Sequence, residues 1–203
     1  LALTGMTAAL MNGAGVPLPL ILLTVVLMGA ALGAINGILV WKVGIPSIVV
    51  TLGTMTIYRG VIFLMTDGKW VNAHELTDAF KSLPRLILLG LPVMSWVAIA
   101  LIAVFALILT RTPLGRAFYA VGGNPHAAVY AGIDVGRTQA AAFVISGALA
   151  GLTGYLWTAR YAVAYVDIAG GFELDVVAAY VIGGIAIAGG PGTIWVAILG
   201  PIF

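Results

Sequence analysis

Few residues in this sequence have the types and spacing for chemistry, and what is there excludes most reactions. The only Gly-Lys pair, Gly68-Lys69, runs into Trp70, so the chain offers no Gly-x-x-x-x-Gly-Lys-Ser/Thr cradle for a nucleotide. His74 and His126 are far apart and lack companion acids at ligand spacing, which speaks against a metal centre. No Gly-x-Ser-x-Gly or His-Glu-x-x-His run occurs, and the absence of cysteine removes disulfides and thiolate ligands. An enzyme reading has little to stand on. The residues left to consider are polar ones set into apolar runs: Asn36, then Ser47, Thr51, Thr54, Thr56 and Arg59, and a long polar connection around Asn124.

The elements carrying these residues are membrane spans. Hydrophobic residues make up 62% of the chain and charged residues 8%, with a mean hydropathy of +1.16; soluble domains carry roughly 25% charge. Nine basic against seven acidic residues leave a net charge of +2, too small an imbalance to imply nucleic acid. Apolar runs cover Leu20–Trp41, Pro46–Thr66, Pro92–Leu109, Thr138–Ala159 and Glu173–Ala188, each near the ~20 residues that cross the hydrocarbon layer. Leu1–Asn12 resembles the last half of a span, and another begins after the Gly189–Gly192 turn. The expected fold is an all-α, polytopic transmembrane helical bundle with about five full and two partial spans. The chain is expected to be one transmembrane domain over 1–203, cut at both ends.

Glycines recur every four residues at Gly29, Gly33 and Gly37, and again at packing spacing at Gly147, Gly151 and Gly154. In lipid such rows let helices approach closely. Asn36, beside the first row, needs a hydrogen-bond partner at that depth, either on a neighbouring helix or along a polar path. Thr51 and Thr54 share a face at i, i+3; they either bond back to their own helix or line that path. Arg59 is too costly to leave in hydrocarbon, so it reaches the interface or a carboxylate. Between Asp67 and Leu83 the chain is polar, with an amphipathic helix expected from Ala73 that places Leu76, Phe80 and Leu83 on one face; Trp70 and His74 read as interfacial and solvated. Glu173 and Asp175, at the start of their span, suit the helix dipole, with Arg160 as a further partner.

The connection Thr110–Gly136 reads as folded. Asn124 is an N-cap, Pro125 takes the first helical position, Ala127 and Ala128 follow, and Gly132 is a C-terminal stop. A helix of about two turns is marginal alone, so docking onto a partner would hold it. Gly122-Gly123 ahead and Gly136 behind supply permissive backbone. Carboxylates are nearly missing from the spans, whereas ion-coupled carriers keep them near the midplane; energy for active transport would have to come from another subunit. Charge does not orient the chain. Lys42, Arg111, Arg116 and Arg137 fall on one side, Lys69, Lys81, Arg85 and Arg160 on the other.

Three ordered blocks, Ile35–Gly60, Leu114–Val135 and Gly171–Thr193, resemble the permease subunits of bacterial ABC sugar importers, those for ribose, rhamnose, xylose and autoinducer-2 among them. The resemblance implies a multi-pass inner-membrane protein that forms a dimeric pore with a second permease copy or paralogue. It implies a periplasmic sugar-binding protein delivering substrate, cytoplasmic ATPase subunits that bind the ATP, and no cofactor, catalytic residue, metal or nucleic acid for this chain itself. It places 114–136 as a cytoplasmic coupling loop and 67–91 as a periplasmic loop. Gly122, Gly123, Asn124, Pro125, His126, Ala127, Ala128 and Gly132 would then form the ATPase contact, although His126 stands where a Glu is often found. By their chemistry Asn36, Thr51, Thr54 and Trp157 would be the suppliers of polar and aromatic contacts along a path for a pentose or a deoxyhexose such as rhamnose. An ATP-independent carrier or facilitator is the alternative.

Overall fold

Proline and glycine mark most of the boundaries. The computed structural model describes residues 1–184, and its elements in order are α1 (Ala2–Gly13), α2 (Leu18–Ile38) with a π-helical turn at Leu39–Val43, α3 (Ser47–Thr66), α4 (Asp78–Arg85), β1 (Ile87–Leu88), β2 (Leu91–Pro92), α5 (Val93–Arg111), α6 (Pro113–Gly123), α7 (Pro125–Tyr130), α8 (Val135–Tyr161) and α9 (Phe172–Ile182). Pro17 and Pro46 precede α2 and α3, and Gly44, at φ 75°, stops the π turn. Four of the described helices are long and apolar enough to cross a membrane: Leu18–Val43, Ser47–Thr66, Val93–Arg111 and Val135–Tyr161. The chain is an all-α polytopic membrane protein. The expected fifth span is represented by α9; its remainder, the Gly189–Gly192 turn and the last partial span lie outside the described residues.

Two compact units divide the chain. The first, Leu1–Ile99 with Ala140–Ile168, contains the close helix contacts. A Cβ on Gly29 would fall on the Gly147 carbonyl and 2.9 Å from the Gly151 Cα; one on Gly33 would meet the Phe143 carbonyl; one on Gly37 would sit 2.9 Å from the Ala140 Cα. The two glycine rows therefore face each other, with α2 and α8 antiparallel and their backbones touching. At the other end of α8, Gly154 lies against Thr4 and Gly5 of α1. Met6, Ile21, Val25, Ile62, Phe80 and Tyr155 are fully buried around this contact. Tyr155 meets Phe80 edge-on, with ring centroids 4.9 Å apart, and its hydroxyl donates to the Phe80 carbonyl at 3.2 Å.

The amphipathic helix expected from Ala73 begins instead at Asp78, because Thr77 provides the cap. The Thr77 hydroxyl accepts the Phe80 amide at 3.4 Å, while Asn12 brackets Thr77: its side-chain N–H donates to that hydroxyl at 2.9 Å and its oxygen accepts the Thr77 amide at 2.8 Å. Phe80 and Leu76 still face the core. Arg85, at the end of α4, donates from Nε and Nη2 to the Arg160 carbonyl at 3.2 and 2.6 Å. Val71 and Ala164 form an isolated antiparallel bridge and Trp70 stacks on Tyr165 with centroids 4.9 Å apart, so the segments that follow α3 and α8 lie side by side. Arg59 reaches Asp167 there, at 2.9 Å.

The second unit, Ala100–Gln139 with residues 169 onward, holds the rest of α5, then α6, α7, the first turn of α8, and α9. Glu173 and Asp175 occupy the first turn of α9, where they complement the helix dipole.

Candidate functional site

The connection after α5 is built from three capped helix starts. Thr112 accepts the Gly115 amide at 3.2 Å and donates its own proton to the Ile108 carbonyl at 2.6 Å, with Pro113 at the first helical position. Gly115 is confined at this corner, since a Cβ would strike the Ile108 and Leu109 backbone. Asn124 then caps α7: its side-chain oxygen accepts the Ala127 amide at 3.1 Å. Asp134 accepts the Arg137 amide at 2.9 Å at the start of α8 and holds the Arg137 guanidinium at 3.1 Å.

The exit of α7 is equally ordered. Gly132 sits at φ 78°, its amide donates to the Val129 carbonyl at 2.9 Å, and the Ile133 amide donates to Ala128 at 3.0 Å. That pair of bonds is a Schellman turn, which needs a left-handed residue at its centre. Ala128 is buried, while His126, Ala127, Val129 and Tyr130 are exposed, Tyr130 to 93%. The result is a six-residue helix, fixed at both ends, presenting an imidazole and two apolar side chains outward.

The connection is folded, as expected, and holds a second helix: Pro113–Gly123 forms α6, and the Thr112-Pro113 pair is the same signal read at Asn124-Pro125. Gly122 and Gly123 are the last residues of α6 rather than a left-handed joint, and Gly136 lies inside the first turn of α8; none of the three has positive φ. The break between α6 and α7 is made at Asn124, extended at φ −155° and ψ 103°.

The polar positions in the spans separate by depth. Thr51 donates to Ser47 and Ile48 at 3.0 and 3.1 Å, and Thr54 to Val50 at 2.9 Å; Thr56 and Thr66 bond back in the same way. Their protons are engaged on α3 itself, leaving only acceptor lone pairs for a solute. Asn36 differs: its side-chain oxygen is buried without a hydrogen-bond partner among the described residues. The Tyr58 hydroxyl donates to the Leu32 carbonyl at 3.4 Å, so Thr54 and Asn36, each one turn further along the antiparallel helices α3 and α2, come to a similar depth. Trp157 does not join them. On α8, Phe143 is the residue level with Gly33 and Gly37, and Trp157 lies about 20 Å further along the axis at 1.5 Å per residue, beside Tyr161 with centroids 5.3 Å apart.

Over residues 1–203 the sequence matches the family described as branched-chain amino acid transport system / permease component. The autoinducer 2 import system permease protein LsrC of Klebsiella pneumoniae is 42% identical over 176 residues, covering 87% of this chain and 51% of that protein. Its counterpart from Photorhabdus laumondii is 38% identical over 205 residues, 100% of this chain and 61% of that protein. The ribose import permease protein RbsC of Haemophilus influenzae is 37% identical over 204 residues, 100% of this chain and 63% of that protein. The chain thus spans between half and two thirds of the length of these curated relatives. No solved structure gives a significant match. An apolar helical chain matched along its whole length, with glycine-lined helix contacts and a capped polar loop, belongs to the permease-component family of the branched-chain amino acid transport system type.

Proposed function

We propose that this chain is the membrane-spanning part of an ATP-driven importer in the bacterial inner membrane, carrying a small polyhydroxylated solute of monosaccharide size by alternating access. The observation that carries the reading is α7, a short helix fixed by Asn124 at one end and Gly132 at the other, with Tyr130 and Val129 turned outward. A rigid knob of this kind can be moved as a body by a cytoplasmic ATPase, and α6 and α8, capped by Thr112 and Asp134, transmit the displacement to the spans they continue. Asn36, level with Thr54, supplies the polar contact for the solute.

Neutral amide and hydroxyl groups suit a neutral polyol better than a zwitterion, which would call for charges along the path. That favours the ribose and autoinducer 2 named for the relatives over the amino acids in the family description. A periplasmic binding protein delivering to the side of residues 67–91, two ATPase subunits and a second permease copy complete the assembly. Vesicles containing the full-length permease, with and without its ATPase subunits and ATP, and with binding protein and labelled ribose supplied outside, test it. Accumulation above the external concentration is expected only with ATPase and ATP. Uphill uptake without nucleotide would make the chain a secondary carrier, and uptake of leucine in place of ribose would reassign the substrate.

A further inference from the structure

Residues 86–92, Leu-Ile-Leu-Leu-Gly-Leu-Pro, contain no polar side chain, yet they form a hairpin that stands out from the first unit. Ile87 pairs with Pro92 and Leu88 with Leu91, and the two residues between them, Leu89 and Gly90, have φ of 51° and 83°. Positive φ at both centres is the type I′ geometry that closes a two-residue hairpin, for which Asn-Gly or Asp-Gly is the favoured pair. Leucine holds that place at the cost of backbone strain. Its side chain is also the most open of the group, 85% exposed, followed by Ile87 at 71%. A tip in water would combine strained backbone with a continuous apolar patch.

The hairpin rises beside the start of an apolar helix, α5, that the described residues leave uncovered. The Val93 amide donates to the Leu86 carbonyl at 2.8 Å, closing the hairpin onto the first residue of α5. Trp96, one turn into α5, donates its indole N–H to the Leu88 carbonyl at 2.9 Å. α5 is one of the candidate spans, and no residue of its apolar window is buried among the described residues. An indole at the mouth of a span belongs to the headgroup level, which fixes the depth of the hairpin bonded to it. The root of the hairpin is held from the other side by Arg85 on the Arg160 carbonyl. Open backbone groups bar it from the hydrocarbon centre, so its place is the boundary layer.

We propose that residues 86–92 form an interfacial anchor, in which Ile87, Leu88, Leu89 and Leu91 enter the headgroup–acyl boundary of one leaflet beside the start of α5. Part of the connection between α3 and α5 is therefore a lipid contact. It secures the α4–α5 junction against the membrane surface while other helices move.

The sequence has no cysteine, which allows site-directed labelling. A nitroxide is attached at Leu89→Cys in the full-length permease, reconstituted in vesicles of phosphatidylethanolamine and phosphatidylglycerol. His74→Cys, in the same connection with a largely exposed side chain, is the water reference. Collision with oxygen, which concentrates in lipid, is expected to exceed collision with a water-soluble nickel chelate several-fold more at Leu89 than at His74. Equal ratios at the two sites would place the tip in water and overturn the proposal. Low access to both reagents at Leu89 would mean that protein covers it, a second copy included, and would overturn it as well. Leu89→Asn, which suits the turn, is the second arm: a label at Leu91→Cys should then shift toward the nickel reagent without loss of folded protein, and an unchanged label position would count against lipid contact at the tip.

Discussion

At the scale of single residues, Asn36 carries a demand that the described residues leave unmet. A buried amide oxygen without a donor costs about 1–3 kcal/mol, and no described residue supplies one. Replacing it with leucine, of similar size, removes the penalty along with any contact to a solute. Asn36→Leu is therefore expected to leave the detergent-solubilised protein at least as heat-stable as the parent while lowering the uptake rate. A fall in melting temperature would show that the amide is bonded within the assembly and has a structural part instead. Thr51 and Thr54 illustrate how far residue type alone reaches. Their hydroxyls were ambiguous in the sequence, and the carbonyls of Ser47 and Val50, one turn away on the same helix, engage them. Trp157 was grouped with them by chemistry, and only position along α8 sets it apart.

At the scale of elements, the glycine rows decide how closely helices approach. Gly33 faces the Phe143 backbone, and a methyl group there has nowhere to go, whereas Gly53 on α3 has nothing within 4 Å of the position its Cβ would take. Overpacking a tight contact costs about 1–3 kcal/mol. Gly33→Ala is expected to lower the melting temperature by several degrees, and Gly53→Ala to leave it nearly unchanged or slightly raise it, since alanine is the better helix former. Equal effects at the two sites would refute the α2–α8 contact. The four-residue spacing of Gly29, Gly33 and Gly37 was legible because it is a property of one helix. That these rows meet each other, with Gly154 reserved for α1, was not, because partner choice depends on the whole arrangement. The hairpin is not legible in the sequence for a local reason: its turn lacks the Asn-Gly signature, and Leu89 takes a backbone conformation its residue type does not announce.

At the scale of the whole molecule, α7 is the test of whether the chain is driven from outside. Asn124→Ala removes the cap, worth about 1 kcal/mol, and Gly132→Val forces a β-branched residue into φ 78°, at roughly 1–2 kcal/mol. Both changes loosen a helix exposed on the connection, far from the glycine contacts in sequence. They are expected to leave membrane insertion and yield intact while lowering substrate-stimulated ATP hydrolysis several-fold. Full coupling with both substitutions present would rule α7 out as the point of contact.

The amino-acid sequence alone determined the membrane class, the all-α architecture, the glycine faces and the caps of α7, since each depends on composition, helical period or bonds within a few residues. The tertiary structure decided which faces pair, that Arg59 finds Asp167, that Asn36 is left without a donor among the described residues, and that 86–92 turns an apolar edge outward. Those outcomes depend on groups brought together from distant parts of the chain, and no local rule of spacing carries that information.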